Sequence, residues 1–167
     1  MASVIINDAC CLIDLRKGNL LHVLCKLPYQ FVVPLPIRES ELLDFSPQEW
    51  SFLEASGMTT YDLPPEEVGE AFGVKQRHGR LSANDCFCLV ATHHHENGIL
   101  LTGDRLLRRV AEDNAVEVHG ILWIIEQLSA HGVCERDLLT TALTLWREDR
   151  SVFVPDNLID RQLRLLD

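Results

Sequence analysis

No stretch of this 167-residue chain holds the roughly 18 consecutive apolar residues a membrane-crossing helix needs, so no such helix is expected. The opening MASVIINDACC lacks a basic segment followed by an apolar core, so a secretory leader is not expected either, and a cytoplasmic protein is. Cysteine pairs at C-x-x-C spacing are missing. Cys10 and Cys11 are adjacent, Cys86 and Cys88 flank one residue, and Cys25 and Cys134 stand alone. That arrangement argues against a zinc site or a disulfide framework and for small apolar residues in a reduced protein. Positive charge is scarce: 15 Lys and Arg against 25 Asp and Glu leave a net charge of −10. A protein that simply coats nucleic acid needs the opposite balance, because phosphate neutralisation supplies most of such affinity. Repeats, low-complexity tracts and long linkers are also absent, and a hydrophobic content of 47% suffices for one sizeable core.

What is present alternates. Short apolar runs at 3–7, 29–33, 58–63, 99–102 and 116–119 read as strands. Helical patterns fill 9–16, 19–26, 37–45, 46–56, 64–78, 83–96, 104–113, 121–131, 135–148 and 156–166. Pro34 and Pro36 interrupt the second strand, Ser46 with Pro47 marks a helix start, Ser82 caps the helix from 83, and Gly98 ends it. Strands separated by helices of this length indicate βαβ units. The expected fold class is therefore α/β, with a central mostly parallel sheet flanked by helices. Residues 1–130 would form the principal domain, and the C-terminal helices in 131–167 would pack on it or on a partner.

Ligands of open parallel sheets bind outside the carboxyl ends of the strands. Asp8 directly follows VIIN, Asp104 follows ILLTG, and Asp85 opens a helix that feeds back into the sheet. Glu41, or Glu39 beside it, lies in the helical pattern after the second strand. Each acid taken alone reads as a helix cap: Ser82-Ala83-Asn84-Asp85 has the form of a capping box, and Asp8 and Asp104 stand where N-caps stand. Taken together on one sheet edge, they form the hard oxygen donor set suited to Mg²⁺ or Mn²⁺.

The residues that carry these acids resemble a known family. Asp8 in VIINDACCLIDL, Glu41 in VPLPIRESELL, Asp85 in GRLSANDCFCLVATH and Asp104 in ILLTGDRLLRRVA look like the four acidic motifs of PIN-domain proteins, in the same order and context. The resemblance covers about residues 3 to 128. The segment VEVHGILWIIEQL is similar to the strand and helix that close bacterial PIN toxins of the VapC-like type. It implies a PIN-like three-layer sandwich and a metal-dependent endoribonuclease, commonly the toxin half of a toxin–antitoxin pair. Asp8, Glu41, Asp85 and Asp104 would then be both catalytic and metal-holding, with Mg²⁺ or Mn²⁺ as cofactor and water attacking the scissile phosphorus in line. Thr102 would tie the loop before Asp104. RNA would be the substrate, a cognate antitoxin and a second copy of the chain the protein partners. Where PIN proteins often carry Ser or Thr two residues after the first Asp, this chain has Cys10, a weak donor. Between the two glutamates, the place of Glu41 before Leu42 fits the motif better.

Basic residues offer two phosphate-binding patches. Arg105, Arg108 and Arg109 sit beside Asp104, and Lys75, Arg77 and Arg80 with His78 precede the helix of Asp85. Consecutive His93, His94 and His95 diverge by about 100° around a helix and do not converge on one ion. Trp50, Trp123 and Trp146 read as core or interface residues, Trp146 as a dimer or partner surface. The rival to an active nuclease is a PIN-like protein with weak or absent catalysis, acting as a protein- or RNA-binding module. A receiver domain would need a lysine ending a late strand, where VEVHGIL has none. A haloacid-dehalogenase phosphatase would need D-x-D where the chain has Asp8-Ala9-Cys10.

Overall fold

The buried apolar runs VIIN, QFVVP and GILL become the three inner strands of one sheet. In the computed structural model, which describes residues 2–167, the strands are β1 (Val4–Asn7), β2 (Gln30–Pro34), β3 (Thr59–Tyr61), β4 (Gly98–Leu101) and β5 (Glu117–His119). They pair in the order β3-β2-β1-β4-β5, every pair parallel. Helices cover both faces, as an all-parallel sheet requires, giving the three-layer α/β sandwich. The helices are α1 (Ala9–Lys17), α2 (Leu21–Leu24), α3 (Leu35–Ser40), α4 (Pro47–Ala55), α5 (Pro65–Arg77), α6 (Ala83–His94), α7 (Arg105–Asp113), α8 (Ile121–His131), α9 (Arg136–Glu148) and α10 (Asp156–Leu166).

Alternation along β1 divides the core. Ile5 is fully buried in the larger cluster with Leu12 and Leu15 of α1 and Ile124 of α8, while Ile6 joins Val32, Leu63 and Ala91 on the opposite face. Capping chemistry sets the helix starts. Ser46 and Ser82 each accept from the backbone N–H three residues on, while Glu49 and Asp85 return the bond, two complete capping boxes.

Several expectations need correction. The helix expected across 37–45 stops at Ser40, and Glu41 is its C-cap. Leu42 and Phe45, which continue the apolar pattern, are instead buried anchors of the turn that follows. Pro34 does not interrupt β2 but is its last residue, paired with Tyr61, and its missing N–H suits the N-cap of α3. The helix expected over 19–26 shrinks to the single turn of α2. Gly98 opens β4 rather than simply ending α6, and a Cβ there would lie 2.3 Å from the Thr92 carbonyl oxygen. Trp146 is no partner surface. It is 1% exposed, its Nε1 donates to the Asp14 carbonyl at 2.7 Å, and its ring lies 3.0 Å from where a Cβ on Gly18 would stand. α9 is thereby keyed to the end of α1. Trp50 is buried as well, with the Arg38 guanidinium 4.1 Å from its ring centroid. Trp123, half-buried, stacks on His119 at 4.3 Å.

Candidate active site

In the sheet the chain leaves β1 toward β2 on one side, while β4 flanks β1 on the other, so the strand order reverses between β1 and β4. Such a switch point opens a crevice at the carboxyl ends of the strands. Asp8 and the loop Thr102-Gly103-Asp104 meet there. The Asp8 N–H donates to the Leu101 carbonyl at 3.0 Å, which continues the β1–β4 register past its last pair, Asn7 with Leu101.

Asp8 is the buried centre of the group, 5% exposed. Its Oδ1 accepts from the Ala9 N–H at 2.8 Å, so it does cap α1. Its Oδ2 accepts from the Thr102 hydroxyl at 2.7 Å and, at 3.5 Å, from the Cys10 thiol. Thr102 is fully buried and its Oγ1 accepts in turn from the Asp104 N–H at 3.1 Å. A single hydroxyl therefore ties the first acid to the backbone of the fourth. The Cys10 sulfur accepts from the Gly103 N–H at 3.3 Å, a second tie between the same two loops.

Asp85 and Asp104 both serve as helix caps. Asp85 Oδ2 accepts from the Ser82 N–H at 2.9 Å, and Asp104 Oδ1 from the Leu107 N–H at 2.8 Å. Asp104 lies exposed at the rim, Asp85 half-buried. Glu41, also exposed, is held toward α6: Asn84 Nδ2 donates to Glu41 Oε2 at 2.9 Å and to Ser40 Oγ at 2.8 Å. Asn84 escaped the sequence reading, although its place immediately before Asp85 was the available signal. Glu39 is exposed and makes none of these bonds. Asn7, fully buried, was also missed. Its amide donates to the Val32 carbonyl at 2.9 Å and spans β1 and β2 behind Asp8.

Charge unites three of the four acids. Burial, opposed by the Thr102 hydrogen bond and reinforced by the charge of Asp85, pushes the Asp8 carboxyl up from 3.8 to about 6. The Cys88 thiol, buried beneath, is pushed well up by desolvation and then by Asp8, Asp85 and Glu41. The charges of these three carboxylates thus act on the same thiol of α6. Among the described residues no cationic side chain forms a salt bridge with Asp8, Glu41, Asp85 or Asp104. A buried carboxylate beside a second one, with no cation facing it, is electrostatically unfavourable.

An all-oxygen set of this kind fits a hard divalent cation that keeps several waters and takes one or two carboxylates directly. Among the described residues, no three His, Cys, Asp or Glu side chains converge closely enough to surround an ion. Asp8, Asp85 and Asp104 are each turned to a helix end.

Of the basic residues beside Asp104, Arg108 reaches Glu112 at 3.9 Å and lies 3.3 Å from where a Cβ on Gly120 would stand, while Arg105 and Arg109 point into solvent. The histidine run separates as its helical position requires: His94 Nε2 meets Glu70 at 2.5 Å, and His95 Nδ1 meets the Ala91 carbonyl at 2.6 Å.

The chain matches, over residues 4–167, the family described as DUF3368, a PIN domain. That span takes in α9 and α10, beyond the residues whose motifs carry the resemblance. Comparison with curated proteins and with solved structures gives no match.

Proposed function

Since the chain belongs to the PIN-domain family, whose fold is generally that of a nuclease, we propose that it is a metal-dependent endoribonuclease and that Asp8, Glu41, Asp85 and Asp104 are its catalytic and metal-holding residues. The observation that carries this reading is the buried, cation-free Asp8 carboxylate at the β1–β4 switch point, its ionisation opposed by burial and by Asp85. A bound Mg²⁺ or Mn²⁺ would supply the missing positive charge, activate water and offset charge on the phosphate in the transition state. Asp8 would bind the ion directly, its orientation fixed by the Ala9 N–H and by Thr102. Asp85 and Glu41 would orient the attacking water and accept its proton, Glu41 kept in reach by Asn84. Asp104, on the far side of the crevice, would complete the ligand set next to the leaving oxygen. Arg105, Arg108 and Arg109 would hold the flanking phosphates.

The toxin role of a type II pair is the finer form of the same proposal. It brings a cognate antitoxin protein that covers the acidic crevice, a second copy of the chain as dimer partner, and cytoplasmic residence. No helix among the described residues is long and apolar enough to cross a membrane. A second reading, a PIN-like binding module with weak catalysis, is favoured by the engagement of Asp85 and Asp104 as caps and by the thiol at Cys10.

Incubating the purified protein with a pool of single-stranded and structured RNA, in Mn²⁺ or Mg²⁺ against EDTA, separates the two. Cutting that needs the metal and is lost in Asp8→Asn and Asp85→Asn is the expected result. Folded protein that cuts nothing at any metal concentration would transfer the assignment to the binding module.

A further inference from the structure

Phe72 is a large aromatic left in solvent, 56% exposed in the middle of α5. Beneath it lies Phe87 of α6, edge to face with ring centroids 6.4 Å apart, so the exposed ring is braced rather than free. Phe87 lies on α6, two residues after Asp85. Two glycines flank Phe72 on the same helix. A Cβ on Gly69 would meet nothing within 4 Å, and one on Gly73 only the Arg77 guanidinium, at 3.6 Å. Glycine is unfavourable inside an exposed helix, and at Gly69, three residues before Phe72, it leaves open space.

Charge is sorted along α5. Its acids, Glu66, Glu67 and Glu70, occupy the half away from α6's N-terminus. Lys75 and Arg77, then Arg80 in the turn, occupy the end that meets Asp85, and none of the three forms a salt bridge among the described residues. Lys75 Nζ donates to the Gly79 carbonyl at 2.6 Å, in the turn that leads into α6. Helix-dipole preference accounts for cations at a C-terminus. It does not account for the exposed phenyl ring or the glycines. In a chain of net charge −10, cations free of salt bridges at the end of a helix that also carries a bare aromatic ring complement a polyanion with stackable bases.

We propose that Phe72, braced by Phe87, is a base-stacking platform for single-stranded RNA, with Lys75, Arg77 and Arg80 holding the adjoining phosphates and feeding the strand toward Asp85. This rests on the ribonuclease reading for its substrate class. It makes Phe72 a residue that positions substrate.

The test is binding of a short unstructured RNA carrying a fluorescent adenine analogue, in Ca²⁺, by wild-type and Asp8→Asn protein, each with Phe72 intact, as Phe72→Ala and as Phe72→Trp. Stacking of one base predicts that Phe72→Ala weakens affinity about 5- to 100-fold and abolishes quenching of the analogue, while Phe72→Trp preserves both. Replacing Lys75, Arg77 and Arg80 by Gln should flatten the salt dependence by roughly one in log–log slope for each phosphate no longer held. Phe72-dependent binding by a protein that cuts no RNA would sustain the platform and sink the nuclease. Metal-dependent cutting with affinity and quenching unchanged in Phe72→Ala would overturn the platform and leave the nuclease standing. Absence of RNA binding by every variant, or a change confined to self-association of the protein, would also overturn it.

Discussion

Replacing Asp8 by Asn should make the metal-free protein more stable, not less. In the folded chain the carboxyl is pushed up from 3.8 to about 6, first by burial and then by the charge of Asp85. A carboxyl raised on folding favours the native state below its unfolded value, and that contribution is lost as pH rises through about 6. At about 1.36 kcal/mol per pKa unit, the charged form penalises folding by roughly 3 kcal/mol at pH 8. Asparagine removes the charge and keeps the shape. It still accepts from the Ala9 N–H, but its amide group meets the Thr102 hydroxyl, whose oxygen already accepts from Asp104. Losing that bond returns about 1 kcal/mol, so a net gain of about 1–2 kcal/mol is expected. In thermal unfolding this corresponds to about 3–6 °C for a chain of this size. The assay is urea unfolding of wild type and Asp8→Asn in EDTA at pH 8 and at pH 4. The gain should be present at pH 8 and vanish at pH 4, where the wild-type carboxyl is protonated. Equal or lower stability of Asp8→Asn at pH 8 would refute the electrostatic reasoning, as would a gain of the same size at both pH values.

Thr102→Val should loosen the crevice from both sides, because one hydroxyl serves Asp8 and the Asp104 N–H. Calorimetric Mn²⁺ titration should show affinity about 10- to 100-fold weaker, the usual scale for a group that orients a ligand. Cys10→Ser replaces the thiol that reaches Asp8 Oδ2 at 3.5 Å with a stronger donor; a carboxyl resonance of Asp8 titrating at lower pH and several-fold tighter Mg²⁺ binding are expected, and neither change would mean that the thiol is an adequate substitute. Trp146→Ala should lose about 3–5 kcal/mol in urea unfolding, whereas Gly18→Ala, whose Cβ would press on the Trp146 ring at 3.0 Å, should lose about 1–3 kcal/mol through overpacking.

The layered α/β architecture was readable because its strands are short, apolar and buried, and because Ser46 and Ser82 announce their helices by side-chain chemistry that acts within one turn. The turn after α3 was not readable. Ile37, Leu42 and Phe45 keep an apolar rhythm, and only tertiary packing reveals that the last two anchor a loop, so that Glu41 leaves the helix and meets Asn84. Capping, which Asp85 and Asp104 both do, and metal-holding are not exclusive at the level of position. An acid that closes a helix end at the carboxyl edge of a parallel sheet already stands over the crevice. Trp146 was misread because an amphipathic tail helix shows which face is apolar but not what covers it; here the cover is α1, through Gly18 and the Asp14 carbonyl. Asn84 and Phe72 were passed over for a related reason, since the value of each depends on a neighbour distant in sequence.

The central claim is that the Asp8 carboxylate at the β1–β4 switch point holds a divalent cation. The most direct measurement is a Mn²⁺ titration of metal-free protein, followed by electron paramagnetic resonance, for wild type and Asp8→Asn side by side. The claim predicts saturable binding to wild type, at a stoichiometry of about one or two ions, that disappears in a folded Asp8→Asn protein. Saturable binding that survives the substitution unchanged, or none in the wild type, would contradict it.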